Sequence, residues 1–387
     1  MEESQGIMTE CQGKARVWLE VDLQTVRENF RAVAFHAAPA GVFTVLKANA
    51  YSMGVQALAE VLSQEKDCAG FCVATLEEAL SLKKWGKSIQ ILGPVLDFEL
   101  EEVVANDFIL GINSAETAQK VSETALRQNK KARCHIKLDT GMGRFGVLSG
   151  DLTALEEVAE AATLPGLDCC GAYTHFPSSE YGEVPANLEQ IGRFLESVEF
   201  LKKKGVALSC IHMANSDAIQ LLTGTCQAPF THVRAGLILH GAFSGERNKA
   251  GVKQVFTLKS RLAAVRKMPA GHPVGYNSTC VLEKDCVVGL VSAGYADGIP
   301  LGMSNKGFVL IRGKRCPVLG RVSMDYMSVL LSGFPEEAFP ETGEEVILIG
   351  NEGDSSVTVE EYASWKGTHP YEILTSLSGN RVKRFYK

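Results

Sequence analysis

The chain has 387 residues, 45% hydrophobic and 22% charged, with a formal net charge of −6 at pH 7. That length suggests two or three domains of ordinary globular composition. With no basic arm and no apolar stretch of about 20 residues, nucleic acid, anionic membrane surfaces and a membrane span are all poor matches.

The start, Met1-Glu2-Glu3-Ser4-Gln5, is acidic and polar, unlike a signal peptide. The 11 cysteines are odd in number and form no CxxC pair, and Cys72, Cys134 and Cys210 sit inside apolar runs. Reduced thiols in a cytoplasmic protein fit this better than a disulfide framework. The eight histidines do not cluster with cysteines at ligand spacing, so no metal site is expected.

The run Arg16–Asp22 reads as a strand, a candidate partner for a C-terminal domain. From Val42 onward, short apolar runs alternate with amphipathic stretches. The candidate strands are Val42–Lys47, Gly70–Ala74, Ile89–Leu92, Phe108–Ile112, Arg133–Leu138, Cys169–Thr174, Leu208–His212 and His232–Leu237. Between them, Thr75 opens a capped helix with Leu76, Ala79, Leu80 and Lys83 at spacings of three and four. Ser114 is the expected N-cap of another helix, and 187–204 is a longer one, stopped at Gly205. Eight such units within roughly 200–250 residues match a (β/α)8 barrel. An open doubly wound sheet fits less well, because Lys47 stands where a Gly-rich phosphate loop would follow the first strand.

After about Ala250, β-branched runs separated by turns take over: Val287–Val291, Phe308–Ile311, Cys316–Leu319, Met327–Leu331 and Val346–Ile349. The expected organisation is a barrel over 23–250 and a mainly antiparallel β domain over 251–387, joined by a strand over 14–22.

In such a barrel, function gathers at the C-terminal ends of the strands. Lys47 stands at the first, costly to place unless its amine has work to do. A desolvated lysine loses its charge more readily and becomes a Schiff-base nucleophile. Lys137, Asp139 and Arg144 follow strand five, His175 strand six, and Asn215 and Ser216 strand seven; Arg234 and Gly236 belong to strand eight. Each has a bland reading: Lys137 with Asp139 as an ion pair, Arg144 as a surface cation, His175 as a core histidine. Polar residues at successive strand ends are much harder to ascribe to coincidence. Ser216 before a helix and Gly236 beside strand eight suit a phosphate. A reactive lysine with a phosphate cradle suggests pyridoxal phosphate.

At this point the chain resembles the alanine racemase family of barrel-type pyridoxal-phosphate enzymes, over nearly its whole length. Lys47-Ala48-Asn49-Ala50-Tyr51 resembles the family's cofactor-lysine signature, and Leu138–Arg144 its second signature. Gly275-Tyr276, Gly294–Gly298 and Gly320–Asp325 resemble its C-terminal motifs. The resemblance implies racemisation of L- and D-alanine, supplying D-alanine for peptidoglycan, by a cytoplasmic head-to-tail homodimer. It implies Lys47 as base on one face of the α-carbon and Tyr276, lent by a partner subunit, on the other. It implies a chain from Tyr276 through His175 to Arg234, with Arg234 at the pyridine nitrogen. Tyr51, Asn215, Ser216, Gly236, Leu237 and Tyr371 then match cofactor-binding positions, and Arg144 and Met324 hold the substrate carboxylate. Lys137 matches a lysine often carbamylated, and Tyr295 and Asp325 line the way into the site.

Three departures stand out: Ser52-Met53 in place of Gly-His, expected to open the next helix with little catalytic effect, Ser323 where cysteine is common, and His240 where tyrosine is frequent. A serine or broad-specificity racemase is an alternative reading. A barrel-type decarboxylase is opposed by Arg234, and a non-catalytic cofactor carrier by the C-terminal domain.

Overall fold

The computed structural model describes residues 15–243, 245–331 and 333–387. Met1–Gln5, Cys11 and residue 14, where the joining strand was expected to begin, lie outside the described residues. The described chain divides into two compact units. One holds residues 26–50 and 55–253; the other holds 15–25, 51–54 and 254–387. The first element, β1 (Val17–Val21), belongs to the second of these.

The first unit alternates α1 (Leu23–Ala37), β2 (Gly41–Val45), α2 (Val55–Ser63), β3 (Cys68–Val73), α3 (Leu76–Leu82), β4 (Ile89–Ile91), α4 (Leu100–Ala105) and β5 (Leu110–Ile112). It continues through α5 (Ala115–Arg127), β6 (Ala132–Asp139), the short β7 (Val147–Leu148), α6 (Leu152–Ala161) and β8 (Leu167–Tyr173). Then come α7 (Pro185–Lys203), β9 (Cys210–His212), α8 (Ser216–Leu221) and β10 (His232–Ala235). Parallel pairing runs β10-β2-β3-β4 and β5-β6-β8-β9, with β7 beside β6. A parallel bridge between Gln90 and Ile109 joins β4 to the segment entering β5. On the other side, the Thr231 N–H donates to the Ile211 carbonyl at 2.9 Å and the Arg234 N–H to that of Ala214 at 3.0 Å. Eight parallel strands thus close into a (β/α)8 barrel.

The helices form where polar caps meet an apolar stripe. Ser114 Oγ accepts the Thr117 N–H at 3.1 Å, and α5 then buries Ala118, Val121 and Ala125. Thr75 caps α3 in the same way through the Glu78 N–H. Several strands stop short of their sequence-based ends, though β5 and β9 end as expected and β6 runs on to Asp139. β2 ends at Val45, two residues before Lys47, and β10 ends at Ala235, leaving Gly236 and Leu237 in the turn beyond. The ladder gives out where the chain bends to present its side chains. Lys83 sits in a 3-10 turn after α3 rather than on the helix. Ser52 and Met53 do not open the next helix: α2 begins at Val55, and both residues are fully buried.

The barrel interior is polar in one layer. His135 Nδ1 lies 3.2 Å from His212 Nε2 and 3.2 Å from Gln90 Nε2, and Tyr173 stacks on His212 with centroids 5.2 Å apart. Glycine at position 171 makes room, since a Cβ there would lie 2.4 Å from the His135 ring. Burial lowers the pKa of His135 and of His240 to about 3, and that of His212 well below the usual histidine value. All three are therefore held neutral.

The second unit is mainly antiparallel. Its strands are β1, β11 (Phe256–Met268), β12 (Pro273–Val274), β13 (Cys280–Val281), β14 (Cys286–Val291), β15 (Phe308–Ile311), β16 (Lys314–Leu319) and β17 (Met327–Leu330). β18 (Glu345–Glu352) and β19 (Ser355–Val357) precede α9 (Val359–Lys366) and α10 (Pro370–Ser376), and β20 (Lys383–Tyr386) ends the unit. β11 pairs with β1 and β18 through its first half and with β14 through its second. A ring therefore closes through β18-β15-β16-β17-β14. β1 lies between β11 and β20. No helix among the described residues is long and apolar enough to cross a membrane.

The buried histidines predict a pH dependence. Their folded pKa values lie below the unfolded value of about 6.5, so the unfolded chain takes up their protons first. Their contribution is intact above pH 6.5 and is lost as pH falls toward the folded values, at about 1.4 kcal/mol per pH unit for each histidine. Denaturant unfolding at pH 7.5 and 5.5 should show a clear loss at the lower pH, smaller in His240→Leu. An equal midpoint at both pH values would refute this account.

Candidate active site

Lys47 follows β2 at the barrel's C-terminal end and leads into an unusual backbone. Residues 48 to 52 have φ of 52, 54, 51, 54 and 71°. None is glycine, and the left-handed region costs an L-residue roughly 1–2 kcal/mol. Burial lowers the Lys47 pKa; the charges of Arg144 and Arg234 lower it further, while Glu78 and the Cys72 thiol oppose them.

After β6, Asp139 gives its carboxylate to the backbone. Oδ1 accepts the N–H groups of Gly141, Met142 and Gly143 at 2.9, 3.0 and 3.2 Å, and Oδ2 that of Arg144 at 3.2 Å. Lys137 is not its ion-pair partner. The buried Nζ instead donates to the Leu138 carbonyl at 2.7 Å and faces the rings of Phe145 and Tyr173. Burial, with Arg234 and Arg144, lowers the Lys137 pKa to about 8 against the pull of Asp139.

Arg234 is 4% exposed. One guanidinium nitrogen donates to His212 Nδ1 at 2.8 Å and to the His212 carbonyl at 3.2 Å. The other donates to the carbonyls of Thr174 and Met213 at 2.7 and 3.0 Å and to His175 Nδ1 at 3.3 Å. Among the described residues no carboxylate lies within ion-pair reach of it. Because His212 Nδ1 accepts, its Nε2 carries the proton and donates to His135. Burial and Arg234 likewise hold His175 well below the usual histidine pKa.

Ser216 and Gly236 are brought together. Ser216 Oγ, buried at the start of α8, accepts the N–H groups of Gly236 and Ile238 at 3.1 and 3.2 Å, and Leu237 lies between them. Asn215 caps α8 through the Ala218 N–H at 3.0 Å and accepts the Ser179 hydroxyl at 2.8 Å. His240 is wholly buried in the 3-10 turn after Gly236.

In the second unit, Tyr276 stands 67% exposed in the turn between β12 and β13. Tyr295 and Met324 are also exposed, their loops tied by the Tyr295 N–H to the Ser323 carbonyl and the Ala296 N–H to the Met324 carbonyl, both at 3.0 Å. Asp325 is no simple loop acid: Arg381 bridges it, at 2.8 Å, to the buried Asp297 at 2.9 Å. The rings of Tyr51 and Tyr371 lie 5.7 Å apart.

Sequence reasoning missed the partners. His212, the carbonyl of Thr174, His135 and Gln90 hold Arg234 directly or through one another, and Glu78 holds the turn after Lys47. The sequence carried only the presence of a histidine on each of two barrel strands, not its inward direction. Folding also brings ligand atoms of His135, Cys210 and His212 within 4.8 Å of one another, which sequence spacing did not suggest. Both His212 ring nitrogens are already engaged, and a guanidinium 2.8 Å away opposes a second cation.

The donor set suits pyridoxal phosphate: a desolvated lysine, a buried guanidinium with no carboxylate partner among the described residues, and a hydroxyl grouped with backbone N–H donors. Comparison with known proteins agrees. Residues 21–243 match the family described as alanine racemase, N-terminal domain, and residues 255–386 the alanine racemase, C-terminal domain. An alanine racemase of Carboxydothermus hydrogenoformans is 37% identical over 375 residues, 96% of this chain and 99% of its own length. The alanine racemase structure from Streptomyces coelicolor superposes with a TM-score of 0.87 at 31% identity, covering 97% of this chain and 99% of that one. That from Bartonella henselae, with covalently bound pyridoxal phosphate, does so at 0.84 and 29% identity, covering 96% and 100%.

Burial first, and then the nearby cations, lower the Lys47 pKa. In the cofactor-free chain, Lys47 should acylate with an amine-directed probe at lower pH than an ordinary lysine, as followed by peptide mass spectrometry. A midpoint at or above the ordinary value of about 10.4 would contradict the environment described.

Proposed function

The chain belongs to the alanine racemase family, isomerases of amino acids, and from that premise we propose that it interconverts L- and D-alanine with pyridoxal phosphate held by Lys47. The observation that carries this reading is Arg234, a buried cation with no carboxylate partner among the described residues, at the same strand ends as a desolvated lysine. When bound, the cofactor supplies the electron sink for the α-carbanion.

The chain's own residues do the rest. Lys47 Nζ, once free, takes or returns the α-proton on one face, and the partner subunit's Tyr276 does so on the other. One proton leaves as another arrives, so the substrate changes only its configuration. A phenol with a pKa of about 10 is a poor base at neutral pH and needs positive neighbours. In this reading the positive charge is that of Arg234, reaching the phenol through the neutral His175 bonded to it. Arg234 would face the pyridine nitrogen and keep its own proton, which would restrain the sink and disfavour decarboxylation. A decarboxylase would be served by a carboxylate there.

Ser216, Gly236, Leu237, Tyr51 and Tyr371 would hold the phosphate, with Asn215 fixing the start of α8. Arg144 and the backbone of Met324 would hold the substrate carboxylate, and Tyr295 and Asp325 would flank its path. Lys137 suits a carbamate, because its lowered pKa leaves a larger share as free amine, the form that adds carbon dioxide. The exposed Tyr276 supports a head-to-tail homodimer that lends this side chain between subunits, and the reading places that dimer in the cytoplasm. D-Alanine for peptidoglycan would be the product's use.

A racemisation assay over a panel of L- and D-amino acids tests the reaction and its substrate together. Alanine should turn over fastest, and Lys47→Ala should lose covalent cofactor and activity. Tyr276→Phe should impair proton removal from one enantiomer more than from the other. If sites are shared, mixing and re-dimerising Lys47→Ala with Tyr276→Phe should raise racemisation above either variant alone, to roughly a quarter of full activity, since half the dimers are mixed and each carries one intact site. No recovery in proven mixed dimers would reject the shared site, and faster turnover of serine would reject the substrate.

A further inference from the structure

The peptide that leaves Lys47 is gripped by a side chain with no role in the scheme above. Glu78, in the first turn of α3, accepts the Ala48 N–H on Oε1 at 2.6 Å. Its Oε2 accepts the Ala74 N–H, at the end of β3, at 2.8 Å. One carboxylate therefore ties together the ends of two neighbouring barrel strands. The tie falls at the first of the left-handed residues 48 to 52. The other anchors lie further along: the Ala50 N–H reaches the Leu46 carbonyl at 2.9 Å, and Asn49 Oδ1 accepts the Val55 N–H at 2.8 Å.

The Ala48 N–H is the hydrogen-bonding group nearest to Lys47 on its C-terminal side. Its orientation fixes ψ of Lys47, and so the direction in which the long side chain sets out. Left-handed residues outside glycine persist only where the surroundings over-determine them. The chemistry asks for a carboxylate of this length. Glutamine offers one acceptor oxygen and would turn an NH2 towards the second N–H. Aspartate is one methylene short.

We propose that Glu78 is a positioning residue, holding the left-handed turn so that Lys47 Nζ meets the aldehyde of its cofactor in one fixed orientation. This rests on the reading of Lys47 as the cofactor lysine. In the step concerned, the amine adds to the aldehyde carbon, a C=N bond forms, and the aldehyde oxygen leaves as water.

The test uses the full-length cofactor-free protein with added pyridoxal phosphate. Capture is followed by visible absorbance and by mass after borohydride reduction. Amide exchange of the peptide covering 47–54 is measured without cofactor, where no catalytic effect can enter. Glu78→Ala should slow capture roughly tenfold or more, the scale expected of a misplaced reactive group. It should also speed exchange in that peptide while leaving β6 and β8 unchanged. Glu78→Gln, equal in size, should fall between, and Glu77→Gln on the same helix should match the wild type. If Glu78→Ala does not fold, Glu78→Gln carries the test with the same two readouts. Wild-type capture rates, or unchanged exchange over 47–54, overturn the proposal. If the wild-type chain captures no cofactor at Lys47, the reading of the site falls and this role with it. Capture by the wild type with no change in either variant removes the Glu78 role alone.

Discussion

A guanidinium sits inside the barrel with no carboxylate in reach among the described residues, and much of the first unit is arranged to make that tolerable. Burying a cation is expensive unless its donors are satisfied. Arg234 meets the requirement with carbonyls of Thr174, His212 and Met213, supplied by the ends of neighbouring strands, and with His212 Nδ1. A carboxylate would be the usual answer, but it would neutralise the charge. Backbone dipoles satisfy the donors and leave the charge in place.

That solution constrains its neighbours. His212 can accept from Arg234 only while neutral, so its other nitrogen must donate, and His135 must be neutral to receive it. Gln90 donates to the same His135 nitrogen, and the Cys72 thiol faces Gln90 Oε1 at 3.9 Å. Tyr173 covers His212, and Gly171 clears space for His135. A polar thread thus runs from the strand ends into the barrel core, each member fixing the proton of the next. Partly satisfied, such a network would be a liability; fully satisfied, it specifies one arrangement.

The strand ends were legible in the sequence because barrels place polar residues there against an apolar background. Lys47, Lys137, His175, Ser216 and Arg234 stood out for that reason. Their partners did not. His135 and His212 read as strand residues of no special kind, since nothing local shows that both point inward at one height. Glu78 looked like a first-turn helix acid, and its grip on Ala48 spans 30 positions of sequence. The left-handed turn was hidden because alanine, asparagine and tyrosine carry none of the glycine signal that marks positive φ. In the second unit, β11 escaped because its buried face, Phe256, Leu258, Ser260 and Leu262, is interrupted by a serine and alternates with lysine and arginine. α9 was readable, and missed: Thr358 and Glu361 form a reciprocal cap.

One electrostatic environment produces two different chemical characters at the strand ends. Burial and neighbouring cations lower the pKa of both Lys47 and Arg234. A guanidinium starts so high, above about 12, that it stays charged after any such shift and remains a donor. An ammonium starts near 10.4, so the same push moves its free amine towards neutral pH. Diverting Asp139 into four backbone hydrogen bonds sharpens the contrast, since a free carboxylate there would pair with a cation and restore its charge. The field needs no separate tuning at each position. The identity of the residue decides whether it yields a fixed cation or a base, which is why arginine at 234 and lysine at 47 could not exchange places.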